Sequence, residues 1–287
     1  MDWSKAKNIL IAMFLIINIF LTYQLISISR NQYKYINKEE LQSVIDYLGK
    51  KNVQVEAEIP DRVWIAPSLR VKYQTFDSKA LGDIIFNNGD YKVSGTAEAF
   101  TLAKDNISIQ VKEKMHLTYN NPNIEIKQNE VDEDKCLNIA YSFVSKLKLN
   151  NNHRYVKLKE LKQGYIRLVL GQQYSNIPVE SSLIEIIATE EGVSNAKVSW
   201  FESIKPDKKH NITTPVVALL KANERWAEAG TAVEVRQIRQ GYYFNTEIAG
   251  DSKELILEGT VSPMWVVLSD RDEIYVNAYN ENIEKVR

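Results

Sequence analysis

The chain has 287 residues and a formal charge of −1, with 36 Lys and Arg set against 37 Asp and Glu, and 44% of its residues are hydrophobic. Near-neutrality argues against nucleic acid as a partner, and the apolar and aromatic content is that of a folded protein, not a disordered stalk. Cys136 is the single cysteine, so no intrachain disulfide can form; for a large domain outside the cytoplasm this fits a bacterial surface better than an animal ectodomain.

Residues 8–29 carry no charge and are mostly Ile, Leu, Met, Phe and Ala. About 20 apolar residues, at about 1.5 Å rise each, cross the hydrocarbon core of a bilayer. Lys5 and Lys7 bound the run on one side and Arg30 and Lys34 on the other, with Trp3 and Tyr23 toward its ends, where amphipathic rings favour the interface. A cleaved signal peptide has the same polarity order but a shorter apolar region. Ser27 and Ser29 offer only a weak small-x-small pattern, no Ala-x-Ala is present, and no Cys follows that could make a lipoprotein signal. The length favours an uncleaved anchor. Lys5 and Lys7 favour a cytoplasmic N-terminus, Arg30, Lys34 and Lys38 the reverse; because long domains translocate largely regardless of charge, the short tail is expected inside and everything after about residue 30 outside. Within the span, Asn18 and Thr22 lie one turn apart on one face. Asn18 can hydrogen-bond another transmembrane helix, or it is simply a tolerated polar residue, with Thr22 bonding back to its own helix.

After the anchor, Asn37 with Glu40 three positions on is a capping-box arrangement, and Leu41, Val44, Ile45 and Leu48 follow at helical spacing up to Gly49. The period then changes to two. Val53, Val55, Ala57 and Ile59, then Leu69, Val71 and Tyr73, Tyr91, Val93 and Gly95, and Ile107, Ile109 and Val111 predict half-buried antiparallel strands, interrupted by a short helix over 79–86. A second helix begins near Asp132, with Glu133 and Asp134 at its positive dipole end and Lys146 and Lys148 at the other; Cys136, Ala140, Val144 and Leu147 form its apolar face. Strands are expected over 155–161, 165–173, 183–188 and 195–201, with turns at Gly164, Ile177-Pro178 and Gly192. A third helix is capped by Thr214, has Pro215 at its first position and closes at Gly230. Its expected stripe is Val217, Leu220, Glu224 and Ala227, flanked by Leu219 and Trp226. Strands over 232–239, 242–248, 255–261, 264–268 and 274–278 complete the chain.

Leu161-Lys162-Gln163-Gly164-Tyr165 aligns with Ile238-Arg239-Gln240-Gly241-Tyr242, and both stretches follow a helix. The expected fold class is therefore α+β: a transmembrane helix over 1–30, a first extracytoplasmic domain over 31–130, and a second over 131–287 built of two duplicated helix-plus-antiparallel-sheet units, 131–205 and 210–287.

No motif in the chain announces catalytic chemistry. His116, His153 and His210 have no Cys or carboxylate at ligand spacing. Asp270 and Asp272 resemble a calcium-loop fragment, but Tyr275 stands where Gly is needed, so a turn with two solvated acids is expected. Glu190-Glu191 before Gly192 also reads as a turn. No nucleophile elbow, Walker loop or dinucleotide fingerprint is present, so no catalytic, metal or cofactor-binding residue is assigned and the expectation is a non-enzyme without cofactors. Trp200, Trp226 and Trp265 are expected in the core in preference to a ligand groove, and Cys136 as a buried hydrophobe.

Met1-Asp2-Trp3-Ser4-Lys5 followed directly by the apolar span resembles the opening of the YycI family of two-component-system regulatory proteins of Gram-positive bacteria. Ala222-Asn223-Glu224-Arg225-Trp226, Gly241-Tyr242-Tyr243, Pro263-Met264-Trp265 and Ile274-Tyr275-Val276-Asn277-Ala278 extend the resemblance along the chain, in a style shared with PepSY-type helix-plus-sheet modules. The resemblance implies a bitopic protein that, with a YycH-type partner, associates with the WalK (YycG) sensor histidine kinase and adjusts its control of cell-wall metabolism, and it implies that Asn18 and Thr22 are partner contacts within the membrane. The alternative is a PepSY-type binding or inhibitor module for a peptidase or wall peptide.

Overall fold

The computed structural model describes residues 3–30, 33–60, 62–87, 89–227, 232–244 and 255–287. The expected helix end at Gly230 and the part of the strand over 242–248 beyond Phe244 lie outside the described residues.

The apolar run forms α1, Trp3–Arg30, long and apolar enough to cross a membrane by length and composition. A short strand, β1 (Tyr33–Tyr35), leads into α2 (Lys38–Gly49), where Asn37 Oδ1 accepts from the backbone N–H of Glu39 at 2.9 Å, as its capping position requires. β2 (Val53–Val55), β3 (Arg62–Trp64) and β4 (Pro67–Tyr73) follow. The alternation through Ala57 and Ile59 does not continue as strand, and β2 is a parallel strand, not an antiparallel one.

Three times the chain then makes a helix and a four-stranded antiparallel meander. The first is α3 (Ser78–Ile85) with β5 (Lys92–Gly95), β6 (Phe100–Lys104), β7 (Ile107–Lys112) and β8 (His116–Asn120). The second is α4 (Glu133–Lys146) with β9 (Arg154–Lys162), β10 (Tyr165–Tyr174), β11 (Ile177–Ala188) and β12 (Val193–Ser199). After β13 (Phe201–Lys209), α5 (Pro215–Ala227) opens the third, with β14 (Val233–Tyr242), β16 (Pro263–Ser269), β17 (Glu273–Asn277) and β18 (Ile283–Val286); the intervening β15 (Glu258–Val261) joins β4 and β13 in a separate three-stranded sheet. The mixed α+β class holds, and β1, β3, β6, β8, β13 and β18 are strands the sequence reading leaves out.

The shared Gly-Tyr motif does not mark equivalent places. Gly164 has φ +84° and turns β9 into β10. Gly241 lies inside β14 opposite Met264, where an added Cβ would stand 2.9 Å from Val266 Cγ2. Glycine is needed at the first for its left-handed backbone and at the second for close packing. Ile177-Pro178 is not a turn either: both belong to β11, and the reversal is made by Ser175 and Asn176 at φ +49° and +65°, a two-residue hairpin of the kind such φ values build. In α5 the buried stripe runs through Val216, Leu219, Ala222, Asn223 and Trp226, not through Val217, Leu220, Glu224 and Ala227. The carboxylate of Glu224 on the expected stripe is what turns that face outward, toward Lys221 at 3.0 Å.

Three cores result. One lies between the β6–β12 sheet and helices α3 and α4. A second gathers α2, β2, α5 and the strands from β14 to β17. The third fills the space between the three-stranded sheet and the β11–β14 seam, where Val179 pairs in parallel with Tyr242. Trp200, Trp226 and Trp265 are buried, and their indole N–H groups donate to Asn150 O at 2.7 Å, Asp272 Oδ1 at 3.1 Å and Thr213 O at 3.0 Å. They are core residues with satisfied donors.

Candidate functional site

α1 carries the two residues singled out from the sequence. Asn18 Nδ2 donates to Phe14 O at 2.8 Å, and Thr22 Oγ1 donates to Asn18 O at 2.7 Å. Both side chains therefore bond back within their own helix, and both are exposed along with the rest of Lys7–Gln24. Among the described residues, nothing in the module behind α1 buries them.

The acids of the two turns are held by hydrogen bonds, and Asp272, expected to be solvated, is half-buried because it accepts from Trp226 Nε1 at 3.1 Å. Asp270 Oδ1 accepts from Glu234 N at 3.0 Å, and Asp272 is held by Ser269 Oγ at 2.6 Å. Glu190 accepts from Asp132 N at 2.8 Å and pairs with Lys135 at 3.0 Å, tying the β11–β12 turn to the start of α4. That backbone hydrogen bond first, then Lys135, holds its carboxyl below the ordinary range. Among the described residues no group of three or more His, Cys, Asp or Glu converges as a metal site would require.

Two features beyond the sequence reading emerge from the strand pairing. The first is a groove of about 470 Å³ on the sheet face turned away from α4. Ile166, Leu168 and Leu170 of β10 face the core, so period two places Arg167 and Val169 on the opposite face. Leu158, Val169 and Leu183 lie among the groove's apolar lining, while Lys157, Arg167, Glu185, Lys197 and His116 supply charge and polarity. Arg167 Nε donates to Glu185 at 2.7 Å across the β10–β11 pair. His116 is held below its usual pKa by burial, against the opposing pull of Glu113 at 3.7 Å. Its ring packs edge-on to Tyr73, 5.9 Å away. Apolar lining beside mixed charge can hold an extended ligand through contact area and a few directed hydrogen bonds.

The second is a buried ion cluster at the seam. Glu180 has a fully buried side chain and bonds both Lys157 Nζ and Arg239 Nη1 at 2.5 Å, while Arg239 Nη2 reaches Glu273 at 3.3 Å. Burial pushes the Glu180 carboxyl up, but Arg239 and Lys157 together outweigh it and hold it below the ordinary value of 4.5. Beside it, Tyr275 is buried against Glu180 and Glu273, its phenol driven up mainly by burial. The partners come from β9, β11, β14 and β17, so no local spacing announces them. A Glu directly after Ile177-Pro178-Val179 is the one local signal in the sequence.

No family model matches the chain, and no curated protein matches it. Among solved structures, the Bacillus megaterium YpeB C-terminal domain is similar, with 13% identity, a TM-score of 0.38, and coverage of 75% of this chain and 98% of that one. Likeness at that level carries no functional argument, and the α+β class rests on the elements themselves.

Proposed function

We propose that the chain is a membrane-anchored, non-enzymatic regulator that acts through protein–protein contacts in the bilayer and outside it. The observation that carries this reading is α1. From Lys7 to Gln24 its mean hydropathy is 1.5 and none of it is buried against the module. A helix that is apolar all round and covered by nothing requires an apolar surrounding, which a bilayer supplies. In this reading α1 is an uncleaved single span with its N-terminus cytoplasmic and the module extracytoplasmic. The resemblance to the YycI family supports a sensor histidine kinase of WalK (YycG) type as the regulated partner, a YycH-type protein as co-regulator and cell-wall metabolism as the output. Asn18 contributes its amide oxygen, whose nitrogen is already engaged with Phe14, as the acceptor for a partner helix, with Thr22 one turn on.

Tagged full-length protein purified from detergent-solubilised membranes should retain the kinase, and Asn18→Leu should lower that retention severalfold. A kinase that never co-purifies with the intact anchor refutes the reading. Recovery of the N-terminal peptide by mass spectrometry separates an anchor from a cleaved signal sequence.

The groove supports a second reading, a PepSY-type binding or inhibitor module for a peptidase or wall peptide. It expects wall peptides or a protease to raise the thermal midpoint of the full chain, and Val169→Glu to abolish that rise.

A further inference from the structure

We propose that β1, β3 and the basic segment 205–210 form a bilayer-contacting face that binds anionic phospholipid headgroups. The inference rests on α1 spanning the membrane, and the experiment below distinguishes failure of that premise from failure of the proposal.

Chain connectivity sets the position. Only residues 31 and 32 separate α1 from β1. Three Cα–Cα steps of about 3.8 Å keep Tyr33 within about 11 Å of Arg30. The uncharged run before Arg30 is as long as the hydrocarbon core is thick, about 30 Å. Tyr33 is therefore confined to the headgroup layer or the water directly above it. Tyr33 pairs with Trp64 across β1 and β3, and Arg62 sits over the Tyr33 ring at 5.3 Å. Tyr35 is 67% exposed. Aromatic rings interleaved with cations are the residue types that favour the membrane interface.

Two independent links bring the basic segment to the same place. Lys34 Nζ donates to Ile212 O at 3.0 Å. Lys209 pairs with Pro67, three residues beyond Trp64. The backbone there is fixed by Ser68, whose Oγ donates to Lys208 O at 3.1 Å and accepts from Lys208 N at 3.2 Å. Lys205, Lys208, Lys209 and His210 are all exposed, and Lys205 stands directly opposite Arg70, also exposed, on β4. Like charges facing each other across a strand pair repel, and an anionic surface relieves that repulsion. Residues 33–40, 61–70 and 205–212 together hold seven Lys and Arg against Glu39, Glu40, Asp61 and Asp207, in a chain whose overall charge is −1. Glu39 and Glu40 open α2, where the helix dipole already favours them.

The test uses the full chain reconstituted into vesicles, with a fluorophore on Asn211→Cys and Cys136→Ser to leave one label site. Quenching by a headgroup-nitroxide lipid is measured in phosphatidylcholine with and without phosphatidylglycerol. Quenching should be several-fold stronger with phosphatidylglycerol and fall with added salt. Lys205→Gln, Lys208→Gln and Lys209→Gln together should remove that gain, since each lysine near an anionic surface is worth about fivefold in partition. Unchanged tryptophan emission checks the fold of the variant. Equal quenching in both lipids, or a gain that survives the triple substitution, overturns the proposal while leaving the anchor intact. Extraction of the protein from the vesicles by carbonate overturns the anchor and this inference with it.

Discussion

The ion cluster at the seam makes an asymmetric prediction about stability. Glu180 has no exposed side-chain surface, whereas Arg239 and Lys157 retain 26% and 31% of theirs. Breaking a buried pair costs about 3–5 kcal/mol because a charge is left without its partner in low dielectric. Arg239→Met leaves the buried carboxylate with Lys157 alone, and a loss in that range is expected. Glu180→Gln leaves two cations that can turn partly toward water, which discounts the loss to about 2 kcal/mol. Urea unfolding of the full chain in detergent, followed by the emission of the buried Trp200 and Trp265, provides the measurement. The pH dependence has a fixed sign. A carboxyl held below its ordinary 4.5 contributes stability that is present above that pH and is lost as pH falls through its lower folded value. In Arg239→Met the carboxyl can take up a proton more readily, so the deficit relative to wild type should shrink between pH 8 and pH 5, by roughly 1 kcal/mol for each pH unit spent below its new pKa. If Glu180→Gln proves the more damaging substitution, or if both cost less than about 1 kcal/mol, the cluster does not act as a buried pair.

Other expectations follow from single sites. Gly164→Ala should cost about 1–3 kcal/mol in the same urea assay, because φ is +84° and the new Cβ collides with Lys127 O; a neutral result would mean the turn rearranges. Leu168→Ala removes a fully buried side chain and should cost about 2–5 kcal/mol, against less than about 0.5 kcal/mol for Leu161→Ala, which is half exposed. Equal losses would place the sheet's core face wrongly. Cys136 is buried and its thiol is pushed up by that burial, so it should react with a disulfide reagent only after unfolding. Rapid labelling of the native chain would contradict the packing of α4.

The expected two-copy repeat illustrates how much of the fold is legible locally. Helix starts at Asn37, Asp132 and Pro215 fall where their chemistry puts them, because capping and proline geometry depend on a few neighbouring residues. Cys136, Ala140, Val144 and Leu147 are buried as their spacing requires. The match between Gly164 and Gly241 is different: the letters agree, but one glycine turns and the other packs. The shared Gln-Gly-Tyr cannot separate those roles, since the partner of Gly241 is Met264 on another strand. For α5 the sequence spacing selects the wrong stripe, through Val217, Leu220, Glu224 and Ala227, whereas the buried face carries Trp226, whose indole donates to Asp272, 46 positions away.

Sequence by itself determined α1, because the requirement for crossing a bilayer is a length of uncharged apolar chain and nothing outside that chain enters it. It placed Asn18 and Thr22 one turn apart on one face of that span, and their bonds to Phe14 O and Asn18 O run along the helix. Only the tertiary structure decided the groove, the Glu180 cluster and the ties of Lys209 to Pro67 and of Lys34 to Ile212. Each is assembled from strands distant in sequence, and their proximity is set by sheet register, which hydrophobic patterning constrains to a face but not to a partner.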